Sequence, residues 1–177
     1  MKRLLVAGLA CFGLTGCFGY HIGPAKPYYL RDVHSIAIPT FANNTVIPRI
    51  EVLVTDTVIK QFQQDGTFQI TSNGNADAIL KGEISRITRS PARSVTGNVL
   101  ATSEFSLVMR LRYKLVGRDG KPIAPSGEVS GSTSFFVENT STVSTTSGDV
   151  TTDERQALPL ATEELAIHLV TQLSEGW

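Results

Sequence analysis

The chain has 177 residues, with 16 lysines and arginines against 16 aspartates and glutamates and a formal net charge of zero. That balance argues against a nucleic-acid binder, whose footprint is a strongly basic patch or stripe. The only two cysteines, Cys11 and Cys17, leave no disulfide framework to build on.

The N-terminus reads as an export signal. Met1-Lys2-Arg3 supplies positive charge, and the apolar run from Leu4 to Leu14 is too short to cross a bilayer as a permanent helix, which takes about 20 apolar residues. The run ends in Leu14-Thr15-Gly16-Cys17, which resembles the bacterial lipobox, in which the cysteine is acylated and becomes the first residue of the mature chain. The rival reading is a plain secreted protein whose cysteine happens to follow small residues. Residues 1–16 are therefore expected to be a lipoprotein signal peptide, residues 17–32 a lipid-anchored linker, and residues 33–177 a single domain. Cleavage removes Lys2, Arg3 and Cys11, leaving 14 basic against 16 acidic residues. No disulfide then remains possible, so the domain rests on packing. No later segment is apolar enough to span a membrane. Lipid on Cys17 would be the attachment, each buried methylene contributing about 0.8 kcal/mol.

Pro24 and Pro27 argue against regular structure in the linker. Ile36 and Ile38 alternate with smaller residues, predicting a strand over His34–Phe41, and Asn43-Asn44-Thr45 is a turn cluster. Ile50, Leu53, Val54, Val58 and Phe62 recur at helical spacing, so a helix is expected from Arg49 to Gln64, stopped by Asp65-Gly66. Short and long strands follow at Thr67–Thr71 and Ala76–Arg89. In the longer one Ile79 and Ile87 break the alternation, which predicts a bulge or a stretch covered on both sides, and Ser90-Pro91 interrupts it. The clearest pattern is Ser103–Val116: Phe105, Leu107, Met109, Leu111, Tyr113 and Leu115 on one face, Arg110, Arg112 and Lys114 on the other. After the turn Arg118–Lys121 the chain returns as a strand over Gly127–Glu138. The Ser/Thr-rich stretch Asn139–Thr152 is expected to be a mobile loop. A helix over Asp153–Ser174 closes the chain, with Pro159 either bending it or marking its firm start. The expected fold is α+β, with two helices packed on one face of a mostly antiparallel four- to five-stranded sheet.

No catalytic set emerges. His21, His34 and His168 lie on separate elements, without ligand spacing for a metal, and there is no nucleophile elbow, zinc-protease helix or phosphate loop. No enzyme activity and no cofactor are expected. What stands out is basic: Arg110, Arg112 and Lys114 on one strand face, with Arg86, Arg89 and Arg93 on or just past the preceding strand. Guanidinium groups grip phosphates bidentately, and the phosphate-bearing polyanion of a bacterial envelope is lipopolysaccharide. The competing reading is a sheet face kept soluble by charge.

Several blocks resemble the LptE family of lipoproteins. These are Cys17-Phe18-Gly19-Tyr20-His21-Ile22-Gly23; Ser35 to Phe41 with Asn43-Asn44-Thr45; Gln63 to Phe68; Ala76 to Gly82; and Asp153 to Leu158. Their order and spacing carry the resemblance. It implies an outer-membrane lipoprotein on the periplasmic side that plugs an LptD-like β-barrel, helps it assemble and takes part in lipopolysaccharide transport. Phe18, in place of the aspartate that retains many lipoproteins at the inner membrane, agrees with that location. The alternative is a peripheral envelope lipoprotein that binds another polymer or protein without a barrel.

Overall fold

The computed structural model describes residues 26–93, 103–137 and 152–175. The signal segment, Cys17, most of the linker and the Ser/Thr-rich stretch 139–151 lie outside these residues.

A short 3-10 turn at Tyr28–Leu30 leads to β1 (Ser35–Ala37) and β2 (Ala42–Asn43), then α1 (Ile50–Asp65) and β3 (Gln69–Ile70). Three long strands follow, β4 (Ala78–Arg93), β5 (Ser103–Gly117) and β6 (Gly127–Val137), and α2 (Thr152–Glu175) ends the described chain. All six strands form one sheet in the order β3-β1-β4-β5-β6, with β2 also paired to β4. The antiparallel part is the meander β4-β5-β6. β1 pairs in parallel with β3 and β4, and β2 in parallel with β4. The sheet is therefore mixed and curled, with six strands, rather than a mostly antiparallel sheet of four or five. The reason is local: α1 carries the chain back over the sheet between β1 and β3, and a strand reached by such a crossover joins in parallel.

Of the strand expected over His34–Phe41, only Ser35–Ala37 is strand, and a second short strand, β2, begins just past its expected end. Pro39 lies between the two, and Asn43, the first residue of the expected turn, is the last of β2. The Asn43 side chain organises the turn that follows. Its Nδ2 donates to the Ile47 carbonyl and to Glu51, both at 2.9 Å, and its Oδ1 accepts from the Thr45 amide and hydroxyl. Arg49, with φ 63°, then turns the chain into α1. Gly66, with φ 72°, ends that helix in the left-handed conformation expected of it.

One core joins the helices to one face of the sheet. It includes Leu80 and Ile84 of β4, Leu107, Met109, Leu111 and Leu115 of β5, Val54, Val58 and Phe62 of α1, and Leu165 and Leu169 of α2. The apolar alternation of β5 is realised throughout. α2 comes closest to the sheet at Gly131, where a side chain would collide with the Ala161 carbonyl and stand 2.8 Å from Leu165 Cβ. Helix α2 begins at Thr152 and runs through Pro159, so the proline does not mark its start. Pro159 is exposed, so the backbone carbonyl it leaves unpaired a turn earlier can be solvated.

The expected irregularity in β4 is a bulge at Ser85: Ile84 faces Leu111, but the next pair is Arg86 with Arg110. The extra residue reverses the phase of the strand. Before it, even-numbered residues face the helices; after it, Ile87, Arg89 and Pro91 do. Pro91 does not end β4, which continues to Arg93, but the register shifts a second time between Pro91 and Arg93.

Candidate functional site

The sheet face turned away from the helices carries most of the charge predicted to be functional. Register places Lys81 opposite Lys114, Glu83 opposite Arg112 and Arg86 opposite Arg110. On the other side of β5, Arg112 faces Glu128 of β6. Two of the basic residues are already engaged: Arg110 lies 3.0 Å from Glu128 and Arg112 lies 3.5 Å from Glu83. These pairs are well exposed, and each is worth at most about 1 kcal/mol. Glu83 also accepts from the Asn44 side chain.

Lys114 is different. It and Lys81 form a like-charged cross-strand pair with no carboxylate within ion-pair distance among the described residues. Directly opposed like charges destabilise a sheet, and an anion seated between them removes that penalty. Both lysines line a shallow recess of about 310 Å³, beside Ala42, Tyr113 and Ser126. Lys81 escapes a search by charge because it is an isolated cation among apolar neighbours in sequence. The alternation of β4, which puts Leu80 inward, is the signal that could have found it.

Arg86 also lies on the outward face without a carboxylate partner among the described residues. Arg89 does not. The bulge swings it to the helix side, where its Nε donates to Glu154 of α2 at 2.6 Å. The Glu154 side chain is 2% exposed and that of Arg89 37%, so this pair ties the start of α2 to β4. Arg93 is the register partner of Glu104. The six basic residues named from sequence are thus not one surface. Arg110, Arg112, Lys114 and Arg86 share a face, and Arg89 is drawn to the opposite one. Cys17 lies outside the described residues.

Among the described residues two groups titrate away from their ordinary values. The Asp77 carboxylate accepts from the Ser35 hydroxyl at 2.8 Å and from the amides of His34 and Ser35, with Arg118 at 3.2 Å. The Ser35 hydroxyl first, then the amides of His34 and Ser35, and least of all Arg118, hold its pKa below the ordinary carboxylate value against the opposing effect of burial. Burial, and secondarily the charge Tyr29 would carry, push the Tyr113 phenol up. Among the described residues no cluster of three or more His, Cys, Asp or Glu is arranged to hold a metal, and no helix is long and apolar enough to cross a membrane.

The family model for LptE, described as lipopolysaccharide-assembly, matches residues 33–173. The chain belongs to the LptE family. The LptE match runs from just before β1 to the last turn of α2 and so takes in the whole described sheet, both helices and the Lys81–Lys114 pair. Solved structures share the LptE chain's architecture at low identity. The hypothetical protein CT253 from Chlamydia trachomatis is 8% identical, covers 80% of this chain and 96% of its own, and superposes with a TM-score of 0.52. A minor lipoprotein from Acinetobacter baumannii is 13% identical over 80% and 93%, with a TM-score of 0.51. Protein XCC0632 from Xanthomonas campestris is 14% identical over 84% and 86%, also at 0.51. At these identities the likeness speaks for the fold alone. Comparison with curated protein sequences gives no match.

Proposed function

We propose that this LptE-family chain is a non-enzymatic outer-membrane lipoprotein that plugs an LptD-like β-barrel, assists its assembly and takes part in delivering lipopolysaccharide to the outer leaflet. The observation that carries the reading is the family match over residues 33–173. The lipobox-like Leu14-Thr15-Gly16-Cys17 supports it by supplying a point of lipidation. On this reading residues 1–16 are cleaved, acylated Cys17 anchors the chain at the periplasmic side of the outer membrane, residues 17–32 form the tether, and residues 33–177 form the working domain.

The mostly polar outward face, set off from the core by a single sheet, suits contact with a hydrated barrel wall. Within it the Lys81–Lys114 recess is the best seat for a lipid A phosphate. Glu83 also lines the recess but is engaged by Arg112, so neither ammonium group forms an ion pair among the described residues, whereas Arg110 and Arg112 already share theirs. Arg86 is a second free cation on the same face. Arg89, paired to Glu154, serves the fold rather than the ligand.

The test is isolation from gently solubilised envelopes. The native chain should co-purify with an LptD-like barrel and incorporate labelled palmitate at Cys17, and Cys17→Ala should lose the label. Clean monomeric isolation, or an unmodified Cys17 thiol in the native protein, would overturn the assignment.

A further inference from the structure

The sheet treats its open edges unequally. β3 ends the sheet with only two residues, Gln69 and Ile70, too few to template another strand. β6 is long, and α2 covers its outer side. Glu164 accepts from the Ser132 amide and hydroxyl, and His168 Nδ1 lies 2.7 Å from the Ser130 carbonyl. These contacts show that even-numbered residues of β6 point their backbone groups outward. Through the register, the odd-numbered residues of β5 then bond to β6, and its even-numbered residues bond to β4.

The same alternation fixes the free side of β4. Ile84 points away from β5, since its carbonyl accepts from the Asn44 amide at 3.1 Å. Beyond the bulge the residues that point the same way are Ile87, Arg89 and Pro91. β2 stops at Asn43, opposite Ile84. From there the N–H and C=O groups of Ile87 and Arg89 meet no strand among the described residues. Pro91 fits this geometry because its missing donor would have faced the unpaired side.

Alongside this edge runs a groove of about 560 Å³, with Asn44–Ile47 on one wall and Ser85–Arg89 on the other. Val46, 88% exposed, stands on the rim. The only charged residues lining the groove are Arg86 and Arg89, and no acidic residue lines it. Arg86 also faces Arg110 across the β4–β5 pair, a like-charge opposition that an incoming carboxylate would relieve.

We propose that the β4 edge from Ile87 to Pro91 takes one extended, acidic segment of a partner protein as an added strand. Main-chain bonds to Ile87 and Arg89 supply the affinity, Val46 and Ile87 give apolar contact to alternate side chains, and Arg86 selects for negative charge. This does not depend on the barrel assignment, since any partner with an acidic strand-forming segment fits.

The experiment uses the full lipidated chain in detergent and a capped hexapeptide alternating valine and glutamate. The readout is amide hydrogen exchange at single residues. In the free chain the Ile87 and Arg89 amides should exchange quickly. At saturating peptide both should slow at least tenfold while the Ser132 amide is unchanged. A peptide N-methylated on its bonding edge should fail to protect them, and Arg86→Glu should weaken binding about fivefold or more. The proposal is overturned if neither amide slows, if the N-methylated peptide or one with lysine for glutamate binds as well, or if both amides are already protected in the free chain.

Discussion

Asp77 shows how one side chain can hold the beginning of a domain in place. Its carboxylate satisfies two backbone amides and a hydroxyl at the start of β1 from a position just ahead of β4. Because these contacts depress its folded-state pKa, the stability they give is present above the ordinary carboxylate range, near pH 4, and is lost as pH falls through the lower folded value. The urea midpoint of the native chain should therefore decline between about pH 5 and pH 2. Asp77→Asn should lower the midpoint at pH 7 and flatten that decline, and an unchanged pH profile would count against the assignment. Arg89 and Glu154 make a contrasting case. A carboxylate 2% exposed is held 2.6 Å from a guanidinium that is partly solvated. Arg89→Met should destabilise the domain by about 2 kcal/mol, between the scale of an exposed pair and that of a fully buried one. Arg112→Met, which loses only an exposed pair, should cost less than about 1 kcal/mol by the same denaturation measurement.

At the scale of elements, what could be read in advance follows from how far a local pattern reaches. β5 was legible because Phe105 to Leu115 repeat every second residue over a long strand, and α1 because its apolar residues recur at helical spacing. β1, β2 and β3 have two or three residues each, too short for alternation to show direction or partner. Their parallel pairing is set by the α1 crossover instead. The bulge could be expected from Ile79 and Ile87, but its position at Ser85, and hence the face on which Arg89 emerges, depends on pairing with β5. The Arg89–Glu154 contact joins elements far apart in sequence, and no local signal carries it. The same holds for Lys81, whose importance comes from sitting opposite Lys114. The double change Lys81→Gln and Lys114→Gln should weaken lipopolysaccharide binding, measured by salt-dependent titration. It should leave the thermal midpoint unchanged or slightly higher, since two opposed charges are removed. Arg110→Gln with Arg112→Gln should have the smaller effect on binding. If the arginine pair dominates instead, the recess is not the phosphate seat.

For the molecule as a whole, the core closes around one face of one sheet, and the other face is mostly polar, with Phe136 exposed on it. The helices meet each other and the inner face through Val54, Val58, Leu165 and Leu169, so substitutions on the outer face can alter recognition without opening the interior. That separation makes the two lysine and arginine experiments interpretable as binding measurements. It also explains why the fold can be shared at 8% to 14% identity with solved bacterial proteins: what the architecture requires is an apolar inner face and well-placed glycines, not a particular outward set.

The cover that α2 places over β6, through Glu164 and His168, sets a limit on stoichiometry. A sheet that can be extended on both sides propagates, one copy templating the next into a fibre. Here Glu164 and His168 occupy backbone groups of Ser132 and Ser130 on the β6 flank, so that stretch is closed to an edge-to-edge partner. Copies of this chain therefore cannot build a fibre by joining the β4 edge of one through the Ser130–Ser132 stretch of the next.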